Sequence, residues 1–258
     1  MTGLHMEFSG PETGTPLVLL HGFGGDGSAW AAVKAGLPAT VRVITVDLPG
    51  HGGSLGSDGR GGAGRMAKAI LAGLDTAGVD RFHLAGHSMG GAVSALIAMR
   101  APDRVKSLTL VAPGGMAKEI NADLLARYAK ARSAEEIAAC LNEMSAPEFA
   151  TPQAVIDHFT AARAKPGQIE ALDETYRAMF PNGPEEGQGV LPADALAALA
   201  MPVAVIWGTG DTVLPCPKPS ALPASFAFNV LPGLGHMLPE EAPDAVVRVL
   251  LGALGADA

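Results

Sequence analysis

Short apolar runs alternate with helical patterns along most of the chain, and this alternation constrains the fold more than any other feature. Each run is bounded by Gly or Pro, as buried strands usually are. The runs lie at 16–20, 41–46, 81–85, 106–112 and 202–207, with a weaker one at 226–231. Helical patterns lie at 64–77, 88–100 and 242–254. The alternation therefore predicts an α/β fold with a mostly parallel central sheet and helices on both of its faces.

One long stretch interrupts the alternation. Between Pro113 and Met201 no segment has the pattern of a strand. Instead, Ala-rich helical patterns lie at 122–132, 134–144, 152–163 and 169–179, followed by a polar loop at 181–189. Ordinary connections take about 2–6 residues plus one helix, so this stretch is an insertion. The sequence predicts a core formed by residues 1–112 and 202–258 and a helical cap formed by residues 113–201.

The charge balance argues against several classes of protein. The chain has 18 Lys and Arg against 26 Asp and Glu, a formal net charge of −8. Nucleic-acid binders carry a basic surface, so no nucleic-acid partner is expected. The residues at 1–7 lack a basic and apolar leader pattern, and no apolar run reaches the roughly 18 residues of a membrane span. Cys140 and Cys216 form no C-x-x-C pair, and two cysteines cannot form a disulfide framework, so we expect a cytoplasmic protein. Because the chain is acidic, we also expect no membrane partner.

Patterns for a cofactor or a metal are missing from the sequence. Neither the G-x-x-x-x-G-K-[ST] phosphate loop nor a G-x-G-x-x-G dinucleotide loop at the start of a helix occurs. His and carboxylate residues also do not cluster at the spacing of metal ligands. The sequence therefore predicts no cofactor and no metal.

The most specific local motif is Gly86-His87-Ser88-Met89-Gly90, which has the form G-x-S-x-G. It follows a predicted strand and opens a predicted helix, the context of a nucleophile elbow. Small neighbours leave room for the unusual backbone conformation that such a serine adopts. The alternative is a glycine-rich turn in which Ser88 only caps the helix. We take Ser88 as the candidate nucleophile.

A serine hydroxyl needs a base to take its proton, and seven histidines are available. His236 lies in a loop between the last predicted strand and the last predicted helix. Such a loop at the carboxyl edge of a parallel sheet is where catalytic groups converge, so His236 is the predicted base. His87, on the sharp turn, is expected to point away from Ser88. The histidines assigned to turns, surface or core are His5, His21, His51, His83 and His158.

The third member must be a carboxylate that orients the imidazole and stabilises its cation. Asp211 follows the predicted strand at 202–207 and so reaches the same edge of the sheet. The rival location, after the strand at 106–112, has no acid before Glu119. Asp47 ends an earlier strand and is expected to brace its own turn. The predicted catalytic residues are therefore Ser88, Asp211 and His236.

Attack on a carbonyl also requires donors for the oxyanion. The backbone N–H of Met89, directly after the candidate nucleophile, is one predicted donor. The other is the N–H of Phe23, in the glycine-rich loop at 21–25 after the first predicted strand.

Together these motifs resemble the α/β-hydrolase superfamily over nearly the whole chain. The segments that carry the resemblance are 21–25, 47–52, 86–91, 210–211 and 235–237. The sequence is similar to the hydrolase-like domain of acetyltransferase components of acetoin dehydrogenase complexes, and to small capped esterases, enol-lactonases and C–C bond hydrolases. It departs from some relatives: no H-x-x-x-D-G acyltransferase signature occurs, and nothing before Leu17 is long enough for a lipoyl domain. The H-G-x-G-P-G pattern of many C–C bond hydrolases is also replaced by His21-Gly22-Phe23-Gly24-Gly25.

The resemblance and the catalytic residues imply a serine hydrolase that acts on a small-molecule ester, lactone or thioester through an acyl-enzyme on Ser88. Alternatives are a C–C bond hydrolase of a dienoic or diketone substrate, a binding protein that keeps the fold, and an acyltransferase-complex-related module. A carboxylate on a dienoic substrate would need a cation in the cap, where Arg127, Arg132, Arg163 and Arg177 occur. The predicted apolar lining of the substrate pocket is Met144, Phe149, Met179 and Met237. The sequence indicates no oligomeric state.

Overall fold

A single sheet of seven strands organises the part of the chain that the structure describes. The computed structural model describes residues 3–255. Residues 1, 2 and 256–258 of the predicted core therefore lie outside the described residues, as do the first two residues of the segment 1–7, in which no leader pattern was found. The strands are β1 (Met6–Ser9), β2 (Leu17–Leu20), β3 (Val43–Val46), β4 (Phe82–His87), β5 (Val105–Val111), β6 (Val203–Gly208) and β7 (Ala227–Leu231). Their spatial order is β1-β3-β2-β4-β5-β6-β7.

The sheet is mostly parallel, as predicted. Strands β2 to β7 pair in parallel, and β2, β3 and β4 are buried along their whole length. Full burial on both faces explains why these strands read as continuous apolar runs. Strand β1 was not predicted. It pairs antiparallel with β3 at the edge of the sheet and is largely exposed, so its sequence carries no apolar run.

Two pairs of helices cover the sheet, and this confirms the predicted fold class. The first pair is α1 (Ala31–Gly36) with α10 (Pro243–Leu254), and the second is α2 (Ala63–Thr76) with α3 (Met89–Arg100). Helix α3 contacts β2, β4 and β5, whereas α10 contacts β4, β5 and β6. The carboxyl ends of the central strands therefore meet at one edge, where the loops that follow them converge.

In the described chain, the connection from β5 to β6 contains no strand and five α-helices. They are α4 (Ala122–Lys130), α5 (Ala134–Met144), α6 (Gln153–Arg163), α7 (Gln168–Met179) and α8 (Ala193–Ala197). Helix α5 begins with a reciprocal capping box, in which the Ser133 hydroxyl accepts from the Glu136 N–H and the Glu136 carboxylate accepts from the Ser133 N–H. The division into a core and a cap at residues 113–201 stays a prediction, but the helical content of that stretch is observed.

Within residues 3–255, no helix is long and apolar enough to cross a bilayer. The same residues contain no group of three or more His, Cys, Asp or Glu side chains that could hold a metal ion. Cys140 and Cys216 are both free thiols. The cytoplasmic location and the absence of nucleic-acid and membrane partners remain predictions.

Candidate active site

Ser88 occupies a strained turn between β4 and α3. Its backbone has φ 53° and ψ −118°, a conformation that costs a non-glycine residue about 1–3 kcal/mol and is concentrated at functional sites. The turn is possible because its neighbours lack side chains. A Cβ on Gly86 would collide with the Gly90 carbonyl, and a Cβ on Gly90 would collide with the carbonyl of His21. The predicted elbow geometry is therefore present.

Asp211 and His236 form a buried pair at the carboxyl edge of the sheet. Asp211 follows β6, and its Oδ2 lies 2.7 Å from Nδ1 of His236. The same oxygen accepts from the indole N–H of Trp207 at 3.1 Å. Its other oxygen accepts from the backbone N–H groups of Val213 and Leu214 at 2.9 and 2.8 Å. Because the carboxylate accepts at Nδ1, that nitrogen carries the proton and Nε2 of His236 is the basic nitrogen.

His87 supports the backbone of His236. Its ring lies 4.9 Å from the His236 ring, and its Nε2–H donates to the His236 carbonyl at 2.8 Å. Burial, with a smaller contribution from His236, lowers the pKa of His87 to about 3, so the ring is neutral. His87 was expected only to point away from Ser88. Sequence reasoning missed this contact because it joins residues far apart in the chain.

A second support is Glu241, in the short helix α9 (Leu238–Glu241). Its carboxylate accepts from the N–H groups of Gly235 and Met237, on either side of His236, at 2.9 and 2.8 Å. It also accepts from the N–H of Ala146, which follows α5, at 2.9 Å. Glu241 therefore holds the loop of His236 and joins it to the inserted helices. No motif in the sequence singled out this residue.

The loop after β2 lies directly against the candidate nucleophile. A Cβ on Gly22 would come within 3.3 Å of the Ser88 Cβ. His21 braces the loop, since its Nε2 accepts from the Leu48 N–H at 2.9 Å and its Nδ1–H donates to the Gly22 carbonyl at 2.7 Å. Burial lowers the pKa of His21, which keeps this bracing ring neutral.

The two predicted oxyanion donors are both unengaged. Among the described residues, neither the Phe23 N–H nor the Met89 N–H donates to another protein group. Met89 is the first residue of α3, where N–H groups have no partner within the helix and the helix dipole favours negative charge. Both residues border a cavity together with Ser88. Their assignment as oxyanion donors remains a prediction.

Ser88 lies between two cavities. The large cavity, about 370 Å³, also borders Met89 and is lined by residues of α3, α7, the segment 61–64 at the start of α2, and the loops at 114–115 and 188–192. The small compartment, about 30 Å³, also borders His236 and is lined by residues of α4, α5, α6 and α9. Phe23 borders both cavities. The structure thus places Ser88 and His236 around one compartment, although no hydrogen bond joins their side chains in the described chain.

The four predicted pocket residues separate in the structure. Met179 borders the large cavity, whereas Met144 and Met237 border the small compartment. Phe149 is different: it borders two other cavities, neither of which includes Ser88. Phe149 lies after the end of α5, as the helical pattern predicts, but the pattern could not show which cavity this loop borders.

Asp47 has the bracing role that was expected of it. Its carboxylate accepts from the N–H groups of Gly53, in its own turn, and Gly27, both at 2.7 Å. It also lies 3.0 Å from Nδ1 of His5. Since its contacts are to these groups, Asp211 is the acid that reaches His236.

Of the four arginines in the predicted cap, three are exposed and one is buried. Arg127 pairs with Glu143 at 2.8 Å, and Arg177 pairs with Asp173 at 2.7 Å, both at the surface. Arg132 is exposed. Arg163 is buried, with its guanidinium 4.7 Å from the centre of the Tyr128 ring. None of the four borders the large cavity or the small compartment.

A mostly parallel sheet with a serine elbow and a His–Asp pair at its carboxyl edge defines a class of hydrolytic enzymes, and comparison with known proteins agrees. Residues 17–249 match the model of the alpha/beta hydrolase family. The chain belongs to this family, which confirms the resemblance inferred from its motifs.

The named relatives of this chain are described by different activities. The chain is 36% identical over 249 residues to the dihydrolipoyllysine-residue acetyltransferase component of the acetoin cleaving system of Pseudomonas putida, covering 95% of this chain and 65% of that protein. It is 25% identical to a human monoacylglycerol lipase, covering 92% of this chain and 74% of the lipase. This chain therefore spans only about two thirds of the Pseudomonas putida relative.

Solved structures show the same fold. A meta-cleavage product hydrolase of Pseudomonas fluorescens superposes with a TM-score of 0.83 at 21% identity, covering 97% of this chain and 93% of the other. A thermophilic esterase of Thermogutta terrifontis superposes with a TM-score of 0.76 at 26% identity, covering 97% and 92%. Proteins with this fold thus have names that indicate different substrates, so the substrate of this chain has to be argued from its own site.

Proposed function

We propose that this α/β hydrolase is a serine hydrolase that cleaves a small carboxylic ester, lactone or thioester through an acyl-enzyme on Ser88. The observation that carries the proposal is the 2.7 Å contact between Asp211 and His236, beside a compartment that the strained Ser88 also borders. An orienting acid, a base with a free Nε2 and a serine at an elbow are the parts that nucleophilic acyl transfer requires.

The proposed reaction has two halves. In the first, Nε2 of His236 takes the Ser88 proton while Oγ attacks the substrate carbonyl, and the N–H groups of Phe23 and Met89 hold the oxyanion. The bond to the leaving group then breaks as His236 returns the proton to the leaving atom. In the second half, His236 removes a proton from water, which attacks the acyl-enzyme. His236 then returns this proton to Oγ of Ser88 as the bond from Oγ to the acyl carbon breaks and the acid is released. Asp211 stabilises the imidazolium in both halves.

The positions of the two cavities support an orientation for the two ends of the substrate. The leaving atom must receive its proton from His236, which borders the small compartment and not the large cavity. The leaving group therefore faces the small compartment, and the acyl group extends from Ser88 into the large cavity. Ser88 and Gln188 are the polar side chains in the lining of the large cavity, and no charged residue lines it within the described chain. This composition favours an uncharged, apolar acyl group.

The alternatives have less support. C–C bond hydrolysis of a dienoic acid would benefit from a cation beside the substrate carboxylate, and the four cap arginines border neither cavity. A binding protein would not need the hydrogen-bonded Asp211–His236 pair beside a strained serine. An acyltransferase-related role rests on the name of the Pseudomonas putida relative, of which this chain covers 65%.

The direct kinetic test uses p-nitrophenyl esters of acyl chains from two to eight carbons, with matched lactones, thioesters and a diketone. Replacing the nucleophile, Ser88→Ala, should lower kcat by roughly 10⁴–10⁶. Ser57→Ala provides a matched control, because Ser57 is a buried serine whose hydroxyl donates to the Gly3 carbonyl. Full ester turnover by a folded Ser88→Ala protein would rule out the acyl-enzyme. Preferred turnover of the diketone would favour C–C cleavage.

A further inference from the structure

Glu240 is a carboxyl group that the proposed reaction does not use, although it borders the small compartment together with Ser88 and His236. It lies in α9, four residues after His236. Its neighbour Glu241 has three backbone N–H partners, as described above, and serves as a support. Glu240 differs, because its Oε2 is buried and has no hydrogen-bond partner in the described chain. An unpartnered buried oxygen costs free energy, which indicates a role other than packing.

The surroundings of Glu240 determine its protonation state. Burial, with a smaller contribution from the charge of Glu241, raises the pKa of Glu240 to about 8. The other titratable groups that border its compartment are the Tyr128 phenol, whose pKa is also raised by burial, and the imidazoles of His87 and His236. Among residues 3–255, no Lys or Arg borders the compartment. At neutral pH the group is therefore mostly a neutral carboxylic acid, which can both donate and accept a hydrogen bond.

The rest of the compartment selects what can reach this acid. Its lining is otherwise mainly apolar, with Leu125, Leu141, Met144, Phe159 and Met237 among its residues. Its volume of about 30 Å³ admits a group of few atoms. Because the compartment lies on the His236 side of the nucleophile, the group that enters it belongs to the leaving part of the substrate.

We propose that Glu240 is a specificity-determining residue that hydrogen-bonds an uncharged hydroxyl group on the leaving alcohol. The substrate class is then an ester of an apolar acyl chain with a small alcohol that keeps a second hydroxyl. This inference rests on the proposed function and adds the identity of the leaving group. A site built to pair a hydroxyl discriminates strongly against the analogue that lacks it, since its own polar group is then left unpaired.

The test compares three octanoate esters that share one acyl group: the 2-hydroxyethyl, the propyl and the 2-(trimethylammonio)ethyl ester. In the wild-type enzyme, kcat/KM for the hydroxyethyl ester should exceed that for the propyl ester by about tenfold or more. Glu240→Leu should remove this preference, whereas Glu240→Gln keeps a donor and an acceptor and should retain it within about threefold. Glu148→Leu, at an exposed acid that borders neither Ser88 cavity, should leave the ratio as in the wild type.

The outcomes separate this inference from the function on which it rests. Equal turnover of the hydroxyethyl and propyl esters by the wild-type enzyme would overturn the role of Glu240 even if Glu240→Leu did not fold. So would a folded Glu240→Leu protein with an unchanged ratio. Preference for the trimethylammonio ester, lost in both Glu240 variants, would indicate an anionic carboxylate and also overturn it. Absence of Ser88-dependent turnover of all three esters, and of the p-nitrophenyl esters, would instead contradict the proposed function.

Discussion

The two cavities beside Ser88 differ in both size and chemistry. The large cavity has about 370 Å³ and no charged lining residue in the described chain, whereas the small compartment has about 30 Å³ and is bordered by His236 and Glu240. One side of Ser88 is therefore lined mainly by apolar groups, and the other side has a histidine and a carboxyl group that can form hydrogen bonds. If the proposed function holds, the two ends of the substrate are therefore expected to be selected by separate physical effects.

The two effects have different selectivity. A methylene group in an apolar cavity is worth only about 1–3 kcal/mol, so the large cavity should accept a range of acyl chains. A hydrogen bond in the small compartment discriminates more sharply, because a missing partner leaves a buried polar group unsatisfied. We therefore expect the protein to accept many different acyl chains and to discriminate more strictly among leaving groups.

After the loss of Ser88 itself, the largest expected effect comes from removing the orienting acid on the side of the small compartment. Asp211→Asn should lower kcat by about 10⁴, because the amide favours the wrong tautomer of His236. Steady-state kinetics with p-nitrophenyl butyrate would measure the loss. Asp47→Asn is the matched control, since Asp47 braces its own turn, and a folded protein with this change should keep nearly full kcat. Equal losses in the two variants would contradict the assignment of the acid.

A smaller effect is expected at the support of His236. Glu241→Gln removes an acceptor from at least one of the three N–H groups that the carboxylate holds, so we expect kcat to fall by about 10–100-fold. KM for p-nitrophenyl esters of different acyl chains should change little, because Glu241 does not border the large cavity. A change in KM alone, at unchanged kcat, would show that Glu241 does not position His236.

Filling the large cavity should affect only the acyl end. Ala92, in α3, borders that cavity, and Ala92→Phe should lower kcat/KM for octanoyl esters by roughly tenfold relative to acetyl esters. The ratio between hydroxyethyl and propyl esters should stay as in the wild-type enzyme. If that ratio changed as much as the chain-length profile, the two ends of the substrate would not be recognised separately.

The smallest expected effect is on stability. Because the folded-state pKa of Glu240 is raised above its ordinary value of 4.5 to about 8, the folded state holds more protons than the unfolded state between these values. Stability from this group is therefore lost as the pH rises through that interval. Relative to the wild type, Glu240→Gln should gain about 1 kcal/mol in unfolding free energy for each pH unit between pH 5 and pH 8, measured by urea denaturation. A constant difference across this range would contradict a buried, protonated Glu240.

Most of the fold could be predicted because its central strands are buried on both faces and its turns need glycine. The edge strand β1 could not, because an exposed edge requires no apolar run. In the site, Ser88, Asp211 and His236 were predicted because each follows a recognisable strand. His87, Glu240 and Glu241 were missed because their positions depend on how the loop of His236 packs against β4 and the inserted helices. The same dependence explains why Phe149 does not border Ser88.

Covalent labelling tests the central claim most directly, since only an activated serine reacts with a small fluorophosphonate. After stoichiometric treatment, mass spectrometry of the intact protein and of its peptides should show a single adduct, located on Ser88. Asp211→Asn should react far more slowly, and Ser88→Ala should not react. An unmodified wild-type protein, or an adduct on another residue, would contradict the assignment of Ser88, Asp211 and His236 as the catalytic residues.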